Sequence, residues 1–143
     1  MTLTWHLAAT GVAAAALTPW LGGRELLLFA VGSVLIDADH YFLYVVRTGR
    51  FDIRGMFRYF AELQPIQHKI PYVGLCLFHT VDFFLLVGVA AVCYPVLLPL
   101  LAGLLYHFLL DLVDLNRKGV PFIRAYFLVE HAIRRRHAGY PHY

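Results

Sequence analysis

Apolar residues in this chain gather into four long runs, separated by short breaks rich in glycine, proline or charge. The runs cover residues 3–21, 25–46, 72–93 and 96–115, each close to or above the roughly 20 residues that a helix needs to cross a bilayer. Pro19 and the Gly22-Gly23 pair end the first run. Pro71 suits the start of the third, and Pro95 and Pro99 mark a tight turn into the fourth. The first run is the least continuous, being alanine-rich and interrupted by His6 and three threonines. The pattern predicts an all-α, single-domain membrane bundle of four transmembrane helices.

Two further segments follow a different rhythm. Within residues 47–70, Arg47, Arg50, Arg54 and Arg58 recur at three- and four-residue spacing. That spacing sets them along one helical face, with Phe51, Met56, Phe57, Phe60 and Leu63 towards the other. Residues 120–137 repeat the pattern, with Phe122, Ile123, Tyr126, Phe127 and Ile133 against Arg134, Arg135 and Arg136. Both segments predict amphipathic helices lying in the membrane interface. Their arginines read first as headgroup anchors, and Arg47, Arg50, Arg54 and Arg58 also as contacts for a substrate phosphate.

Composition agrees with the pattern. The chain is 60% hydrophobic and 15% charged, against about a quarter charged for a typical soluble domain. Of twelve Lys and Arg residues, eleven follow the second or the fourth run, and only Arg24 lies elsewhere. With four spans, both basic segments lie on one side, which the positive-inside rule makes cytoplasmic. The N- and C-termini then face the cytoplasm, and the expected location is the cell's inner membrane. The apolar stretch at residues 7–17 has no preceding Lys or Arg, so it reads as a first membrane helix rather than a secretory signal. No nucleic-acid partner is expected from a net charge of +3 placed in this way. Cys76 and Cys93, about 25 Å apart if they share one helix, cannot pair and read as small core residues.

Ionisable residues within the runs carry the chemistry, because such groups are costly in a membrane. They are His6 in the first run, Asp37, Asp39 and His40 in the second, His79 and Asp82 in the third, and His107, Asp111 and Asp114 in the fourth. Asp37/His40, His79/Asp82 and His107/Asp111 are spaced to project from one side of a helix. Asp39 lies about 200° from Asp37 on a regular helix and reads as a bridging or orienting group unless the helix is distorted. Asp114 lies nearer the membrane edge. His6, Asp37, His40, His79, His107 and Asp111 all fall within about 5–14 Å of the cytoplasmic edge at ~1.5 Å per residue. Imidazole and carboxylate at one depth suit a metal site in a bundle core, zinc first, with manganese or iron also compatible. The number of donors allows one or two ions. The plainer readings are polar residues bonded across the bundle and a proton relay. His68, His131, His137 and His142 lie outside the runs and read as surface residues.

At these residues the chain resembles the YdjM-like group of membrane-bound metal-dependent hydrolases. The matching blocks are Thr4-Trp5-His6, Gly32-Ser33-Val34-Leu35-Ile36-Asp37-Ala38-Asp39-His40, Phe78-His79-Thr80-Val81-Asp82 and Tyr106-His107-Phe108-Leu109-Leu110-Asp111. The resemblance implies metal ligation at His6, Asp37, Asp39, His40, His79, His107 and Asp111. Where many members carry Arg-Gly and Thr-His-Ser around the third block, this chain has Leu77-Phe78-His79-Thr80-Val81-Asp82. The His-x-x-x-Asp helix is also similar to one in zinc-dependent phospholipases C.

The expectation is a metal-dependent hydrolase facing the cytoplasmic leaflet and cleaving a phosphoester or similar polar bond of a lipid or amphiphile. His79 or Asp82 would be general base if not a ligand. The rivals are a metal-ion or proton transporter and a non-catalytic anchor for a soluble partner. Against transport, the site lies off-centre and no internal repeat is visible. Against an anchor, that role needs no buried carboxylates.

Overall fold

The computed structural model describes residues 3–138. Seven α-helices occur among them: α1 (Leu3–Leu17), α2 (Gly23–Leu35), α3 (Ala38–Thr48), α4 (Ile53–Leu63), α5 (Val81–Cys93), α6 (Leu98–Arg117) and α7 (Leu128–Ala138). No strand forms among the described residues, only an isolated parallel bridge between Gly74 and Arg124. The all-α expectation holds. The four-span expectation holds only in part.

Two stretches, Gly23–Thr48 and Pro95–Arg117, are long and apolar enough to cross a membrane. Of their most apolar windows, 33% and 22% are buried. α1 has 15 residues and α5 has 13, about 22 and 20 Å at ~1.5 Å per residue. Each falls short of a hydrocarbon layer about 30 Å thick. The third run is helical only from Val81. Before it, Tyr72 and Cys76 are buried in an irregular segment with a 3₁₀ turn at Leu77–His79. An apolar run records burial, and burial alone does not distinguish a helix from a buried irregular strand of chain.

The chain forms two compact units: residues through Ile36 with Asp82–Asp114, and Asp37–Val81 with the chain from Leu115 onward. In the first, glycines let α2 and α6 approach backbone to backbone. A Cβ at Gly32 would overlap the Leu100 carbonyl oxygen, and one at Gly103 the carbonyl oxygen of Phe29. Small residues serve helix contacts in this way where lipid gives no hydrophobic drive for association. α1 joins them through a 2.7 Å hydrogen bond between the Thr10 and Ser33 hydroxyls and a 3.0 Å bond from the Tyr106 hydroxyl to the Ala9 carbonyl. Phe84 of α5 packs against Phe108 of α6 at 4.9 Å between ring centres. Leu85, Leu86, Val89 and Val92 leave α5 with an exposed apolar face.

In the second unit α3 ends at Gly49, whose φ of 68° is left-handed and whose N–H reaches the Val45 carbonyl at 2.8 Å, the usual glycine helix stop. Asp52 then caps α4, accepting hydrogen bonds from the Gly55 N–H and, at 2.8 Å, from the Tyr44 hydroxyl. The expected arginine stripe is therefore divided. Arg47 lies in the last turn of α3, Arg50 in the connecting loop, and Arg54 and Arg58 are exposed on α4. Met56, Tyr59, Phe60 and Leu63 form the inward side of α4, whereas Phe51 and Phe57, expected with them, are exposed.

The second amphipathic helix begins at Leu128, not near Val120. Gly119 takes a φ of 70°, Pro121 follows, and residues 120–127 run beside the 72–81 segment. Val73 N–H bonds to the Ile123 carbonyl at 2.7 Å, and Val81 N–H to Tyr126 at 2.8 Å. Arg134 is engaged within this unit: it pairs with Glu130 at 2.8 Å, donates to the Phe122 carbonyl at 2.7 Å and stacks on Tyr72 at 5.2 Å. His131 meets the Tyr72 hydroxyl and is half-buried, not a free surface residue. The side chain of His137, and all of His142, lie outside the described residues.

Candidate metal centre

The join between α2 and α3 shapes the centre. Asp37 has a ψ of −5°, and the His40 N–H bonds at 3.0 Å to the Asp37 carbonyl three residues back. This tightened turn departs from regular helix, so the 200° separation of Asp37 and Asp39 does not apply. Both carboxylates turn towards the same imidazoles.

Asp39 is 2% exposed and anchors the group. Its Oδ2 accepts from the Phe78 N–H at 2.9 Å and from His79 Nδ1 at 3.0 Å. A carboxylate only accepts when ionised, so His79 Nδ1 carries the proton and Nε2 presents its lone pair. That is the tautomer a carboxylate–histidine–metal arrangement requires. His79 is fully buried, and its Nε2 lies 3.7 Å from Asp37 Oδ1. His40 Nδ1 lies 3.1 Å from Asp39 Oδ1 and 3.3 Å from Asp37 Oδ1. Despite that closeness, Asp39 Oδ1 and His40 Nδ1 find no hydrogen-bond partner among the described residues. Such groups are costly to leave unsatisfied, and a cation between them satisfies both.

Cys76 completes the group. One donor atom from each of Asp39, His40, Cys76 and His79 lies within 4.8 Å of all the others. Imidazole, carboxylate and thiol are zinc donors, and these residues could hold a metal ion. Asp37 and His40, each 26% exposed, form the accessible edge. Arg124 is only 5% exposed, and its backbone is paired with Gly74.

The remaining expected ligands meet in the first unit. His6 Nε2 lies 3.2 Å from Asp111 Oδ1, and the His6 and His107 rings stack at 4.1 Å. His107 donates from Nδ1 to the Ser33 carbonyl at 2.6 Å, which leaves Nε2 as its lone-pair atom. Thus His6, His107 and Asp111 gather within the first unit, and Asp37, Asp39, His40 and His79 within the second. Asp82 stands in the first turn of α5, half-buried. Asp114 is half-buried near the end of α6.

Sequence reasoning missed two residues. Cys76 was readable from its Cys-x-x-His spacing to His79. Arg124 gave no signal, since its burial follows from a bridge formed between distant segments. Comparison with protein-family models, with curated proteins and with solved structures finds no match to this chain.

Proposed function

We propose that this protein is a membrane-bound, metal-dependent hydrolase that cleaves a phosphoester or similar polar bond of a lipid or amphiphile at the cytoplasmic leaflet. The observation that carries the reading is the buried Asp39–His40–Cys76–His79 group, which has a partly exposed edge and a buried guanidinium in the same unit. A bound divalent ion, zinc by preference, with a fifth position open to solvent beyond these four donors, would bring a water there towards neutral acidity and polarise a phosphoryl oxygen. Asp39 holds His79 in its ligating tautomer through Oδ2 and offers Oδ1 to the ion. His79 is better suited to ligation than to proton transfer, because Nδ1 is committed to Asp39. Asp37, at the open edge, offers a further carboxylate. Arg124 supplies fixed positive charge for an anionic group.

The apolar faces of α5 and α6 support membrane embedding, since Leu85, Leu86, Val89, Leu109 and Val113 would otherwise face water. Five of the twelve basic residues lie together, Arg47 at the end of the first candidate span and Arg50, Arg54, Arg58 and Lys69 between it and the second. The positive-inside rule favours the cytoplasmic side for that segment.

Detergent-purified protein, prepared without chelator, should contain stoichiometric zinc by elemental analysis. It should hydrolyse phosphorylated lipids in nanodiscs, with turnover abolished by chelation and by His79→Ala. Native protein devoid of metal would remove the metal reading. Protein-dependent metal uptake into sealed proteoliposomes, without hydrolysis across a broad lipid panel, would replace the enzyme with a transporter.

A further inference from the structure

We propose that Cys76 binds the metal as a thiolate, making this a mixed imidazole–carboxylate–thiolate site selective for zinc over manganese and magnesium. The inference rests on the metal reading above and specifies its donor set. Cys76 is 3% exposed and sits two residues beyond Gly74, whose pairing with Arg124 fixes the local backbone. Its carbonyl accepts the His79 N–H at 3.1 Å, opening the 3₁₀ turn at Leu77–His79. The Cys-x-x-His pair is thereby folded onto one side of a tight turn. The thiol comes within the same 4.8 Å sphere as donor atoms of Asp39, His40 and His79.

The independent sign of a cation beside it is the buried carboxylate of Asp39. Its Oδ1 lies 3.1 Å from His40 Nδ1, an ion-pair contact without hydrogen-bond geometry, and it makes no hydrogen bond among the described residues. Cys93, by contrast, is exposed at the end of α5, outside the group. Thiolate changes the chemistry of the site. A soft sulfur donor favours zinc, whereas all-oxygen or oxygen-rich sites favour magnesium and manganese. Binding replaces the thiol proton with the metal and releases that proton to solvent.

Full-length protein carrying Cys93→Ser, in detergent, is loaded with cobalt and read by absorption. A thiolate-to-cobalt charge-transfer band in the near ultraviolet, with visible bands of bound cobalt, is expected. Adding Cys76→Ser should remove the ultraviolet band. Because that variant can misfold, zinc-edge X-ray absorption on the zinc-loaded Cys93→Ser protein gives a second reading. It should show one sulfur neighbour at about 2.3 Å. Bound metal with only nitrogen and oxygen neighbours and no charge-transfer band would overturn Cys76 ligation while the metal site stands. Failure to bind either metal would overturn the metal reading itself.

Discussion

Replacing Asp39 by Asn separates its two tasks. The amide oxygen can take the place of Oδ2, keeping the bonds from Phe78 N–H and His79 Nδ1 at 2.9 and 3.0 Å. The amide nitrogen then occupies the Oδ1 position, facing His40 Nδ1 with hydrogens and no lone pair. Two charge-assisted bonds become neutral ones. At about 1.5–3 against 0.5–1.5 kcal/mol each, that costs roughly 2–3 kcal/mol of stability. Asp39→Ala instead strands two buried donors, at about 1–3 kcal/mol apiece for the unmet hydrogen bonds. It should therefore be the less stable variant. Metal binding should suffer more than stability does in Asp39→Asn. A group that merely orients a ligand costs about 10–100-fold in affinity when altered, and loss of a direct donor should exceed that. Chelator competition gives the zinc affinity, and thermal unfolding in the same detergent gives the stability. Zinc affinity in Asp39→Asn within tenfold of the unaltered protein would refute the assignment of Oδ1 to the ion.

Gly103→Ala should destabilise the α2–α6 contact by about 1–3 kcal/mol, the usual cost of overpacking, since the added methyl meets rigid backbone of Phe29. Gly88→Ala meets nothing within 4 Å and should be neutral or stabilising by up to ~1 kcal/mol, with both read by thermal unfolding. Bonds from the Tyr44 hydroxyl, and then from the Gly55 N–H, hold the Asp52 carboxyl below its ordinary value of 3.8. Its folded value is thus lower than its unfolded one, so its stabilisation is present above 3.8 and lost as pH falls through the folded value. Hydrogen exchange of α4 should accelerate over that acid range, and Asp52→Asn should flatten the response. A cysteine introduced at position 48, in a Cys93→Ser background that keeps the buried Cys76, should react with impermeant reagents only from the cytoplasmic side. Labelling from the opposite side would reject the proposed orientation.

Hydrophobic patterning alone determined the helical class, because long apolar runs with so little charge have few other solutions. It also singled out histidines and aspartates that come together in the fold, since ionisable groups are conspicuous in such runs. The pairing of Asp37 with His40 was legible from three-residue spacing. The grouping of Asp39 with His79 was not, because it depends on a tightened turn at Asp37 and on contact across 40 residues of sequence. Tertiary structure also decided that residues 72–80 are irregular, that α4 and α7 start later than their patterns suggest, and that Arg124 is buried. Each of these depends on pairing between distant segments, chiefly Val73 with Ile123 and Gly74 with Arg124. Sequence periodicity reports which residues avoid water. It carries no record of which distant backbone satisfies them, and that pairing brings Cys76 within 4.8 Å of donor atoms of His40 and His79.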